Sequence, residues 1–212
     1  MPSDPAVLPM FPLGTVLFPT MVLPLHVFEE RYRALVRDCL AADREFGVVL
    51  IERGSEVGGG DVRTDVGTVA RIVEAEEYPD GRFGLVSVGV RRVRVDRWMT
   101  DDPYPKAEVR DWPDPEPGRG EAGRAESARR AMLVPFRRAL ALSGELRETS
   151  VPATIELADD PGTASFQAAA VGPIGPLDQR RVLATEGAAD RLELLAGLFA
   201  EEAEVLAARL SG

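Results

Sequence analysis

The groups able to attack a carbonyl or shuttle a proton are few: one histidine, His26, and one cysteine, Cys39, among 212 residues. Nucleophilic catalysis needs an activated Ser, Cys, Thr or Lys beside a base. His26 lies in Pro24-Leu25-His26-Val27-Phe28, an apolar setting that reads as a partly buried histidine with one backbone hydrogen bond. Cys39 falls on an apolar helical stripe, where a free thiol packs as a small hydrophobe. One cysteine forms neither an internal disulfide nor a thiolate metal cage. The carboxylate pairs Asp101-Asp102, Asp159-Asp160 and Glu201-Glu202 have neither calcium-loop spacing nor a histidine partner, so they read as solvated faces, turns or caps. Gly58-Gly59-Gly60 runs into Asp61, which would repel an anion, so no phosphate cradle is expected. The expectation is a protein without catalytic residues, cofactor or metal. An enzyme would need an acid pair or reactive hydroxyl assembled from distant positions.

Charge narrows the partners. The formal net charge of −10 disfavours phosphate backbones, which demand clustered cations. Arg91, Arg92, Arg94 and Arg97 form the local exception. Acidic residues surround them and no aromatics interleave, so they read as solvated strand faces and no nucleic-acid partner is expected. Met1-Pro2-Ser3-Asp4 lacks the order of a secretory signal, and no apolar run reaches the ~20 residues that span a bilayer. A cytoplasmic protein with no membrane partner is expected.

The elements that must position any site follow from periodicity. Leu8–Leu13, Val16–Pro19 and Met21–Leu25 are short apolar runs broken by prolines, which predicts strands at sheet edges or bends. Phe28, Tyr32, Leu35, Val36, Cys39 and Leu40 share one helical stripe, with Glu29 and Glu30 favoured at its amino end. Phe46–Ile51 is apolar on both faces and predicts a buried strand, and Glu56–Asp65 predicts a flexible loop. Val66–Tyr78 and Phe83–Trp98, joined through Pro79-Asp80-Gly81, predict a hairpin. In its second arm the alternation slips near Arg91-Arg92, as a bulge or bend requires, which favours a coiled, barrel-like sheet. Tyr104–Trp112 predicts a further strand.

Pro113–Gly123 can bury almost nothing and reads as a linker. Beyond it helix formers dominate. Ala125, Ala128, Met132, Phe136 and Leu140 form a stripe in which Pro135 should kink the helix or begin a second one. Thr163 reads as the cap of a short helix reaching Val171, and Pro176 suits the first turn of the next. Ala188, Leu192, Leu195, Phe199, Ala203, Leu206 and Leu210 predict a long amphipathic helix paired with the alanine-rich one. Two parts are expected, a β subdomain over 1–115 and a helical bundle over 116–212.

Pro12-Leu13-Gly14-Thr15-Val16-Leu17-Phe18-Pro19-Thr20-Met21-Val22-Leu23-Pro24-Leu25, then Glu29-Glu30-Arg31-Tyr32, resembles the opening of Lon amino-terminal domains. Gly67-Thr68-Val69-Ala70-Arg71-Ile72 and Gly89-Val90-Arg91-Arg92-Val93-Arg94-Val95 are similar to the arms of that family's central hairpin, and Leu177–Leu183 with Asp190-Arg191-Leu192 to its helical part. The resemblance implies an α+β fold, a PUA-like β pseudobarrel followed by a carboxyl-terminal helical bundle. It also implies recognition of unfolded or client polypeptides without their hydrolysis, since the chain stops before an ATPase or serine-lysine peptidase would begin. A separate protease is a further expected partner. The expected surface is concave and apolar, rimmed by charges of the first helix, with Phe18, Met21, Glu30, Arg33 and Tyr78 as substrate-binding residues. PUA-like folds elsewhere bind RNA, so an RNA or small-ligand pocket is the alternative.

Overall fold

The computed structural model describes residues 5–54 and 62–211. The chain divides into two compact units, one ending at Pro113 and one beginning at Asp114. The first holds strands β1 (Ala6–Leu13) and β2 (Val22–Val27), helix α1 (Glu30–Ala41), and strands β3 (Glu45–Arg53), β4 (Val62–Glu77), β5 (Phe83–Trp98) and β6 (Lys106–Asp111). Of the loop expected over Glu56–Asp65, residues 56–61 lie outside the described residues and Val62 already begins β4.

The sheet order is β2-β5-β4-β3-β1-β6, with an additional β5–β6 pairing that closes five strands into a ring. The bulge foreseen near Arg91-Arg92 makes this closure: Val69 pairs with Arg91 and Ala70 with Gly89, leaving Val90 as the extra residue. On one side of that bulge Phe83–Val88 pair with β2, and on the other Val93–Trp98 pair with β6. The expectation that the proline-broken runs form edges or bends fails for β1, which lies between two neighbours, and holds for β2. β1 tolerates its prolines because it changes partner midway. Ala6–Pro9 pair with β6 and Met10–Leu13 pair, in parallel, with β3, so each proline lies in a half paired on one side.

Strand alternation divides the core in two. Met10, Val49, Val69, Val93, Ala107 and Val109, from five different strands, form the cluster that fills the ring. Residues of the opposite parity, among them Phe11, Phe46, Val48, Ala70 and Ile72, pack with Tyr32, Leu35, Val36 and Cys39 of α1. The Phe11 and Tyr32 rings stack at 4.1 Å between centroids. Phe28, placed on the helical stripe by its spacing, precedes α1 and is 55% exposed.

The second unit is helical: α2 (Glu121–Glu145), α3 (Pro161–Val171), α4 (Pro176–Leu183) and α5 (Ala188–Ser211). Pro135 neither ends α2 nor starts another helix. An interior proline costs about 3 kcal/mol, whereas burying Met132, Phe136 and Leu140 returns roughly 1.5–3 kcal/mol each. The Phe136 and Phe199 rings lie 5.1 Å apart across α2 and α5. Arg124 pairs with Asp190 and Glu193 near the two amino ends, and Arg138 with Glu204 further along, so α2 and α5 run parallel. The cap of α3 is Asp160, not Thr163. Its carboxylate accepts the Thr163 N–H at 2.7 Å, and Pro161 takes the first turn, where the missing donor costs nothing.

Candidate functional site

Three of the five residues expected to bind a substrate meet around the β4–β5 turn. The Gly81 N–H donates to Tyr78 O and the Tyr78 N–H to Arg82 O, both at 2.8 Å. Asp80 accepts from the Arg82 backbone at 3.1 Å and from Arg82 Nε at 2.7 Å. Gly81 adopts φ +78°, which a side chain resists, and an added Cβ would strike the Arg33 guanidinium. Arg33 lies one turn into α1 and pairs with exposed Glu30 at 2.9 Å. Its Nε is buried and has no hydrogen-bond partner among the described residues.

From Tyr78 a groove of about 560 Å³ runs over β2, β4 and β5. Leu25, Ala75, Val86 and the Tyr78 ring give it apolar surface, and Glu74 and Glu76 supply carboxylates. His26 lines it, with its ring 5.8 Å from that of Tyr78 and Nε2 3.3 Å from Arg82 Nη1. A hollow of about 80 Å³ adjoins it through Leu25 and His26 and is bordered by the exposed Phe28. β2 pairs with β5 on one side and with no strand on the other among the described residues. Its Val22 is 63% exposed.

Phe18 and Met21 take different places. Phe18 is 0% exposed, and its carbonyl lies so close to Gly89 that a Cβ there would collide with it. As a contact residue it is corrected: the segment after β1 folds under the β5 bulge and its ring serves the core. Met21 is half-buried against the outer cluster, with its carbonyl accepting the Gly89 N–H at 2.9 Å. His26 is also corrected, being exposed and facing side chains, where a partly buried ring on a backbone partner was expected. His26, Phe28 and Val22 were missed as surface residues. The alternation Val22, Pro24, His26 along β2 was the available signal, since all three face outward.

Burial, then the neighbouring Asp38 charge, push the Cys39 thiol up to about 12, and its Sγ donates to Glu45 O. Among the described residues no group of three His, Cys, Asp or Glu stands close enough to hold a metal ion. Among the described residues no helix is long and apolar enough to cross a membrane. The arginine cluster is consumed internally. Arg91 bonds Glu45 at 2.7 Å and Asp111 at 2.8 Å, and Arg97 pairs with Glu108. Arg92 departs from the expected solvated face: it is buried, and with Arg94 it lies against the Trp112 ring. Burial opposes the Glu45 charge, but the hydrogen bonds from Arg91 and Arg71 outweigh it and hold this carboxyl below its usual range.

The ring of strands and the helical unit make this an α+β protein, and a groove lies over β2, β4 and β5 of the first unit. Residues 7–200 match the family model described as the ATP-dependent protease La (LON) substrate-binding domain, and the chain belongs to that family. It is 29% identical over 202 residues to Lon protease 2 of Herpetosiphon aurantiacus, covering 94% of this chain and 24% of that protein. Against Lon protease 2 of Myxococcus xanthus it is 41% identical over 108 residues, half of this chain and 13% of that protein. The chain thus spans about a quarter or less of these curated relatives. Among solved structures it is similar to a Lon N-terminal domain protein from Xanthomonas campestris, with TM-score 0.64 and 29% identity over 91% of this chain and 98% of that one. The N-terminal domain of Mycobacterium avium complex Lon protease shares the fold, with TM-score 0.63 at 17% identity, covering 92% of this chain and 99% of that one.

Proposed function

We propose that this chain is a cytoplasmic, non-catalytic recognition module that binds exposed apolar segments of unfolded or client polypeptides, with hydrolysis left to a separate protease. The observation that carries the proposal is the groove over β2, β4 and β5 beside a strand edge with no partner among the described residues. An extended segment can hydrogen-bond along such an edge while alternate side chains enter the groove. Membership in a substrate-binding-domain family supports the same function. Tyr78, His26 and Phe28 supply aromatic and apolar contact, Glu30 and Arg33 fix the α1 end, and Met21 backs β2 from the core side. No observation favours RNA, because the arginines that would hold phosphates are paired with carboxylates or stacked.

The test is fluorescence anisotropy with a labelled, permanently unfolded polypeptide and single-stranded RNA as control. The expected result is polypeptide binding that survives high salt and weakens about tenfold, a loss of about 1.4 kcal/mol, in Phe28→Ser with Tyr78→Ser. RNA binding alone, or polypeptide affinity indifferent to both substitutions, would overturn the proposal.

A further inference from the structure

The second unit carries a separate cavity of about 680 Å³, within the usual range for ligand sites. Its walls are the segment from Asp114 to Gly118 and the opening turns of α2, α3 and α5. That segment is anchored. Both Asp114 oxygens accept from the Arg191 guanidinium at 2.6 Å, and Asp114 Oδ1 also accepts the Gly187 N–H at 3.2 Å. The apolar lining consists of small or rigid side chains, Pro115, Pro117, Ala122, Ala125, Pro161 and Ala189, which leave the space unfilled.

The charge around this apolar lining has one sign. Among its described lining residues seven are carboxylates and none is Lys or Arg. Some of this charge is met from behind, Asp114 by Arg191, Asp190 by Arg124, and Glu126 by Arg129 and Arg130. Exposed Glu116 and Glu121 remain at the rim, with Glu121 3.7 Å from Arg124. An anion is repelled by such a rim. A neutral apolar molecule leaves the rim unused, and a simple polyamine leaves the proline and alanine surface unused. An extended chain carrying a small apolar side chain beside Lys or Arg satisfies both.

We infer that this cavity is a second polypeptide site, selective for extended segments in which an apolar residue is flanked by basic ones. The class of ligand rests on the recognition role proposed above; the location, on a different unit, does not. The complementary charges give specificity and speed encounter, and they make the affinity salt-dependent.

The experiment compares three labelled probes on the full chain: a short peptide alternating Lys and Val, the same peptide with Glu for Lys, and the neutral unfolded polypeptide. Native protein is expected to bind the basic peptide and not the acidic one, with affinity falling as salt rises. Glu116→Lys with Glu121→Lys should weaken the basic peptide at least about tenfold, and Ala122→Trp should block it by filling the cavity. Both variants alter exposed positions and are expected to keep the native melting curve. Tyr78→Ser should leave the basic peptide unaffected while weakening the neutral polypeptide. Equal binding of acidic and basic peptides, unchanged basic-peptide affinity in the charge-reversed variant, or capture of a polyamine with no peptide binding would each overturn this site. Loss of neutral-polypeptide binding alone would instead count against the groove of the first unit.

Discussion

Arg191 and Asp114 meet as two forks, each guanidinium Nη 2.6 Å from one carboxylate oxygen, with the Arg191 side chain 0% exposed. Arg191 Nε also donates to Ser165 Oγ at 2.9 Å, and its guanidinium lies 4.2 Å over the Phe166 ring. One buried cation thus joins α5, α3 and the segment that enters the helical unit. Removing Asp114 strands that charge, which typically costs about 3–5 kcal/mol. Asp114→Ala is therefore expected to lower the thermal midpoint of the helical unit strongly, read by circular dichroism. Asp114→Ala with Arg191→Met should recover part of the loss, because no lone charge is then buried.

Phe18 and Phe28 give opposite expectations from similar sequence settings. Phe18→Ser exposes a hydroxyl to the core and creates a cavity, so it should destabilise by about 3–5 kcal/mol in denaturant titrations. Phe28→Ser alters an exposed ring and should shift the denaturant midpoint little while weakening polypeptide binding. Stable Phe18→Ser protein would contradict its burial.

Gly89 lies where β5 bulges and where the Phe18 carbonyl approaches. Gly89→Ala forces one backbone from the other and is expected to cost about 1–3 kcal/mol, the usual range for strain of this kind. Gly197→Ala is the control, since an added Cβ there meets nothing within 4 Å. Placed inside α5, it should be neutral or stabilising by up to about 1 kcal/mol.

Acid should weaken the first unit through Glu45. Its folded-state carboxyl titrates below the ordinary range, so the contribution of its bonds to Arg71 and Arg91 is fully present above the unfolded value of about 4.3. It is lost as pH falls below that value through the depressed one. The stability gap between native protein and Glu45→Gln is expected to shrink across this window in denaturant titrations and to stay constant above it.

Cys39 should resist thiol reagents in the folded protein. With its thiol pushed up to about 12 by burial and by Asp38, almost no thiolate exists at neutral pH. Labelling by a maleimide is expected to proceed only as the protein unfolds, and its rate should rise in step with denaturant. Rapid labelling of native protein would refute the packed position.

Much of this protein was decided locally and was legible in the residue order. The stripe Tyr32, Leu35, Val36 and Cys39 determined α1, and Leu192, Leu195, Phe199, Ala203 and Leu206 determined the buried face of α5. Pro79-Asp80-Gly81 determined the hairpin turn, and the broken alternation beside Arg91-Arg92 determined the bulge at Val90. Periodicity and turn chemistry act between near neighbours, so one strand or helix suffices to reveal them. Which apolar groups would be covered was a different matter. Phe18 is 0% exposed and Phe28 55% exposed, although both stand in short apolar runs of the same segment. The partner change of β1 rests on two strands that follow it by many residues, and the Arg191–Asp114 fork joins positions 77 apart. Only the tertiary structure decided these, because burial and ion pairing depend on what the rest of the chain brings alongside, and a local pattern carries no record of it.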